Sequence, residues 1–178
     1  MELVPNVPRL TRDVWYTTRM ITEPILNFVV VVCVQLLFLL VYAAAVGAIK
    51  SVPKLLVWGI VIGLPFGLVI DLVWGKWVGV FTYQLGFVPW FLLLNGLFSY
   101  GVWMANVLLL RKSNFGQVYC MSVLLAVVYE TTNYYFPVWE WTFSTPLVEY
   151  VVVIFVCYTS LTCCTVYLLR SLEARFIR

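Results

Sequence analysis

Histidine is absent from the 178-residue sequence. That absence removes Ser-His-Asp and Cys-His catalysis, His-ligated haem and the common zinc sites. Charge is scarce too: 11% of the residues are Asp, Glu, Lys or Arg, against roughly 25% in a soluble domain. The 11 basic residues give a net charge of +3 and are scattered along the chain. Without a basic run to track a phosphate backbone, nucleic-acid binding is set aside. Cys33, Cys120, Cys157, Cys163 and Cys164 lie in apolar runs and form no C-x-x-C. They read as small buried hydrophobes and define no redox compartment. No metal and no cofactor is expected.

What remains is apolar. Hydrophobic residues make up 63% of the chain, and the mean hydropathy is +0.99. A soluble protein of this length needs a polar surface that this composition does not supply, whereas a bilayer removes the need. One span takes about 20 apolar residues. Apolar runs at 24–49, 53–73, 89–110, 115–133 and 146–169 predict an all-α, polytopic membrane helix bundle of about five spans. Residues 1–23 form a polar leader, 24–170 the transmembrane domain and 171–178 a cytoplasmic tail. The leader's length argues against a cleaved signal peptide. Its Arg9, Leu10, Arg12, Val14, Trp15, Arg19 and Ile21 suit a short interfacial amphipathic helix. Pro24, Pro53, Pro89 and Pro146 open four of the runs, where a first turn tolerates the missing N–H.

Basic residues set the expected orientation. Lys50, Lys54, Arg111, Lys112, Arg170, Arg175 and Arg178 fall on one side, and Arg9, Arg12, Arg19 and Lys76 on the other. The excess predicts a multi-pass cell-membrane protein with its N-terminus outside and its C-terminus in the cytoplasm.

The chain also repeats itself. Asp71 is followed by Phe81-Thr82-Tyr83, then by Pro89 opening an apolar helix that ends at Arg111. Glu130 is followed by Trp139-Glu140-Trp141, then by Pro146 opening another that ends at Arg170. Asp71 and Glu130 are 59 positions apart, Phe81 and Trp139 are 58, and Pro89 and Pro146 are 57. Trp15-Tyr16, Pro24 and Lys50 form a weaker third copy. A period of two spans keeps the copies in the same membrane orientation, a tandem parallel repeat. It gathers Glu23, Asp71, Glu130, Glu140 and Glu149, with most of the Trp and Tyr residues, at one membrane face.

A carboxyl group at membrane depth is a functional candidate by default. Glu130 is the first, with Asn133 and Tyr134 at i+3 and i+4 able to orient it; an ordinary acid touching headgroup water is the alternative. Asp71 holds the same place in the other copy, with Trp74 and Gly75 following. Glu149 lies in the first turn after Pro146, where the helix dipole explains it equally well. Gln35 and Asn95 read as interhelical hydrogen bonds. The aromatic residues at that face form either an interfacial belt or a pocket whose π faces hold a cation.

The pattern Asp71, Gly79-Val80-Phe81-Thr82-Tyr83, Pro89 and its second copy Glu130, Trp139-Glu140-Trp141, Pro146-Leu147-Val148-Glu149 resembles the lycopene cyclase domain of the heterodimeric bacterial, archaeal and fungal type. The resemblance covers about residues 55–170. That family carries Pro-x-Glu-Glu at a helix start; here Val148 replaces the first glutamate, and in the first copy Leu92 replaces the second. The resemblance implies cofactor-free cyclisation or isomerisation of an isoprenoid, a carotenoid or other terpenoid, by proton transfer. Glu130, Asp71 and Glu149 would then be catalytic, with Asn133, Tyr134, Trp77, Phe81, Tyr83, Trp139 and Trp141 around the substrate. Whether the chain is an enzyme stays open at this level. The alternative is a non-catalytic structural or pigment-binding subunit of a larger membrane complex, and homo- or hetero-oligomerisation is open as well. A transporter is disfavoured, since the span centres hold few charges.

Overall fold

The computed structural model describes the backbone over residues 9–142 and 151–176, and side chains over 22–142, 151–152 and 155–173. Five long helices carry these residues. They are α1 Arg9–Ala45, α2 Ile49–Trp77, α3 Pro89–Leu110, α4 Phe115–Tyr135, and α5, which runs Val152–Thr159 and on through Ser160–Phe176. Among the described residues, Thr22–Ala45, Ile49–Trp77, Pro89–Leu110 and Phe155–Glu173 are long and apolar enough to cross a membrane. At 21 residues, α4 has spanning length, but it carries Gln117, Glu130 and Asn133 and is less apolar. The outer surface is itself apolar: Leu26, Leu37, Val41, Val57 and Val156 are each at least 60% exposed. That is the surface of a protein dissolved in lipid.

Pro24 does not open a helix. It sits inside α1, which begins at Arg9, because residues 9–23 contain neither Gly nor Pro to stop helical winding. Neighbouring helices in a bilayer bundle accommodate such a proline. The segment holding Trp15-Tyr16 is therefore helical, whereas the equivalent segments in the other copies are strands. The front copy of the repeat is not reproduced in the fold, and residues 9–21 continue the first span's helix instead of forming a separate element. Pro53 and Pro89 do stand in first helical turns as expected. Pro146 lies outside the described residues.

The other two copies fold alike. A strand β1, Phe81–Tyr83, leaves α2, and a strand β2, Trp139–Trp141, leaves α4. They pair antiparallel, with Phe81 opposite Trp141, Thr82 opposite Glu140 and Tyr83 opposite Trp139. In the repeat Thr82 and Glu140 are equivalent, so the ladder is centred on one position and its own copy. A local two-fold axis between the halves produces that register. The sheet brings the ends of α2 and α4 to one end of the bundle, where α3 begins.

Asn133 locks β2 in place. Its Oδ1 accepts from the backbone N–H of Val138 and Trp139 (2.9 and 3.2 Å), and its Nδ2 donates to the Trp139 carbonyl at 2.9 Å. Asn27 of α1 donates to the Pro137 carbonyl at 3.0 Å. At the opposite end, the Arg170 guanidinium donates to the Arg111 and Ser113 carbonyls, and Arg111 pairs with Glu173 at 2.7 Å. The α3–α4 turn is thus tied to α5.

α2 and α3 lie in closest contact through Gly59, Gly63 and Gly67, all buried and spaced by one helical turn. A Cβ at Gly63 would stand 2.5 Å from the Tyr100 carbonyl, and one at Gly67 would enter the Tyr100 ring. Small residues at this spacing drive helix association where no hydrophobic effect operates between helices.

Candidate functional site

Each copy buries one carboxyl group behind aromatic donors. Asp71, the first residue of the π-helical segment Asp71–Trp77 that follows the regular α-helix ending at Ile70, is fully buried. It accepts from Tyr83 Oη at 2.7 Å, Tyr100 Oη at 3.0 Å and Asn95 Nδ2 at 3.1 Å. The same amide also donates to Tyr83 Oη at 2.7 Å. Burial above all, with Tyr100 and Asp71 close by, pushes the Tyr83 hydroxyl well above the ordinary phenol range. Tyr83 therefore stays protonated and serves Asp71 as a donor. All three neighbours donate, the pattern that suits an ionised carboxylate.

Local backbone geometry explains how α3 supplies two of these donors. Asn95–Tyr100 is π-helical, and its i→i+5 bonding places residues five apart on one face. In a regular α-helix the same two side chains would point roughly 140° apart. The Tyr100 ring rests on Gly67, one turn before Asp71, which aims its hydroxyl at the carboxyl. α5 repeats the device over Val152–Thr159, the counterpart of the α3 segment.

In the second copy, Glu130 is 5% exposed. Trp141 Nε1 donates to it at 3.2 Å, and the Tyr158 hydroxyl is also hydrogen-bonded to it. Trp141 is the repeat equivalent of Tyr83, and Tyr158 of Tyr100. The Asn95 position is filled by Val153, so the amide donor is not repeated.

Between the two carboxyl groups lies a cavity of about 420 Å³, lined by Phe81, Tyr83, Tyr100, Trp103, Tyr129, Trp139, Trp141, Tyr158 and Leu161 among others. The rings form one connected array. Phe81 meets Trp141 at 5.5 Å, Tyr129 stacks on Trp139 at 4.8 Å, and Tyr158 meets Tyr129 at 5.3 Å. The rim includes Trp74 and Val156, 53% and 61% exposed on the bundle's outer surface. The cavity therefore opens sideways, toward lipid.

A second, polar cavity of about 320 Å³ lies on the other side of Trp139 and Trp141. Its lining adds Glu130, Asn133, Tyr134, Pro137 and Glu140. Trp139 borders both cavities, and its buried Nε1 has no acceptor among the described residues.

The residues expected from sequence divide accordingly. Phe81, Tyr83, Trp139 and Trp141 line the apolar cavity; Asp71 and Glu130 stand behind it, bonded to its walls. Asn133 holds β2 and does not orient Glu130. Tyr134, 71% exposed, borders only the polar cavity, and Trp77, 78% exposed, borders neither. The partners of Glu130 come from β2 and α5 because its i+3 and i+4 neighbours on α4 turn to the strand and to the surface. Glu149 lies outside the described residues. Tyr100 and Tyr158 were not anticipated, although their 58-residue spacing belongs to the repeat and was a readable signal. Asn95 makes the interhelical bond expected of it, with Asp71 as acceptor. Gln35 donates to Ser99 at 3.4 Å.

Together these features define a multi-pass helical membrane protein with a two-fold internal repeat and an aromatic cavity between the copies. Comparison with protein-family models, with curated proteins and with solved structures finds no match for the chain.

Proposed function

We propose that the protein takes the end of a lipid-soluble isoprenoid into the aromatic cavity and isomerises it by proton transfer, forming a ring without a redox cofactor. The observation that carries this reading is the pairing of two buried carboxyl groups, equivalent in the repeat, behind the walls of one apolar cavity open to lipid. The terminal trisubstituted alkene, protonated at its CH carbon, becomes a tertiary carbocation at the carbon that bears the two methyl groups. A neighbouring double bond attacks that cation and forms the ring C–C bond, and a proton is then lost from the ring. Atoms and electrons balance, because one proton enters and one leaves. Glu130, hydrogen-bonded to Tyr158 at the cavity wall, delivers the proton through that hydroxyl and recovers it. The fixed Asp71 carboxylate and the faces of Phe81, Trp139 and Trp141 lower the energy of the cation between these steps.

Expression in a host that accumulates a linear polyene such as lycopene, followed by pigment chromatography, tests the reading. Ring-bearing product is expected with the natural chain and absent with Glu130→Gln. Unchanged pigment beside abundant folded protein would count against polyene cyclisation.

One observation favours a second reading, a non-catalytic pigment-binding subunit: neither carboxyl group lines the apolar cavity itself. Pigment that co-purifies unaltered with both the natural chain and Glu130→Gln would select it. The acid-rich end is assigned to the outer face and the basic end to the cytoplasm on the excess of Lys and Arg, which a reporter fused to the C-terminus tests.

A further inference from the structure

The two carboxyl groups are equivalent in the repeat but not in their access to water. Asp71 is completely buried and borders neither cavity. Glu130 borders the polar cavity together with Glu140, Asn133 and Tyr134. Glu140 is exposed and Tyr134 is 71% exposed, so this cavity opens at the acid-rich end of the bundle. Its volume of about 320 Å³ has room for several waters, with carboxylate, amide and phenol groups to bind them. Trp139 and Trp141 separate it from the apolar cavity, and the Trp141 indole N–H reaches Glu130 from that wall.

We infer that the polar cavity is an aqueous vestibule through which Glu130 alone of the two carboxyl groups exchanges protons with water, while Asp71 is a sealed, fixed anion. Glu130 thus faces water on one side and the lipid-open cavity, through Tyr158 and Trp141, on the other. The titratable groups around it are Glu140 on β2, Tyr129 and Tyr134 on α4, and Cys157 and Tyr158 on α5. Of these, Glu140 is the acid that shares the vestibule. The assignment holds whatever ligand the apolar cavity takes, so its test needs no substrate.

Infrared spectroscopy of the full-length protein in nanodiscs supplies that test. A protonated-carboxyl C=O band is expected that titrates with bulk pH, shifts in the first spectrum after transfer to D2O, survives Asp71→Asn and disappears in Glu130→Gln. Should Glu130→Gln fail to fold, ¹³C-labelled aspartate assigns the bands in the natural chain, since Asp13 and Asp71 are its only aspartates. A titrating band that moves with the aspartate label, or one that stays unshifted in D2O, would each overturn the inference.

Discussion

The halves that begin at α2 and at α4 share one plan and differ at its centre. In the first, a short carboxylate is saturated by two phenols and an amide and closed off from both cavities. In the second, a longer carboxyl is reached by an indole and a phenol and borders the polar cavity. The scaffold that positions them is nearly the same: a strand that pairs with its own copy, a π-helical segment in the following helix, and a tyrosine 28 or 29 positions beyond the acid. The difference shows how duplicated geometry can give two acids distinct surroundings through changes at a few repeat positions, Asn95 against Val153 and Tyr83 against Trp141.

The largest test of this contrast is removal of each acid. Asp71→Ala strands three buried donors, at roughly 1–3 kcal/mol for each, and should lower the melting point in detergent much more than Glu130→Ala. Equal losses would mean that the two sites are energetically alike. Next come the helix contacts beneath the acids. Gly67→Ala pushes the Tyr100 ring off α2 and should cost about 1–3 kcal/mol. Its counterpart Ala126→Gly leaves only a small gap and a more flexible helix, about 0.5–1 kcal/mol. A smaller effect is expected from the paired phenols. Tyr100→Phe and Tyr158→Phe keep each ring and remove one hydrogen bond, about 1 kcal/mol of stability. Tyr158→Phe alone should abolish turnover, because it cuts the route from Glu130 to the cavity. Trp77→Phe, at an exposed position outside both cavities, should stay within about 0.5 kcal/mol of the natural chain and leave pigment conversion unchanged.

Much of this fold was legible in the sequence, for identifiable reasons. Span positions follow from apolar length, which the bilayer dictates directly. The repeat was visible because acid, paired aromatics and proline recur in order, and the β1–β2 register is its structural expression. The misplaced helix start at Pro24 came from weighting a proline above fifteen preceding residues without a helix stop. The ligands of the two acids were harder to read. Neighbours at i+3 and i+4 are the natural guess on a regular helix, but Asp71 and Glu130 are served from a strand and from the next helix. The π-helical segments that aim Asn95 and Tyr100 together leave no signature in hydrophobic periodicity. The Gly59-Gly63-Gly67 stripe was present in the sequence as small residues one turn apart, and its role appears only when α3 is seen lying on it.

The cavity between the copies is proposed to receive an isoprenoid chain. The most direct measurement is a density map of the protein, gently purified from isoprenoid-rich membranes, joined to mass spectrometry of the extracted ligand. Elongated density passing the rim at Trp74 and Val156 and ending among Tyr83, Trp141 and Tyr158, with an isoprenoid in the extract, is the predicted result. Phospholipid acyl chain in that position, or a stoichiometric partner protein closing the rim, would contradict it.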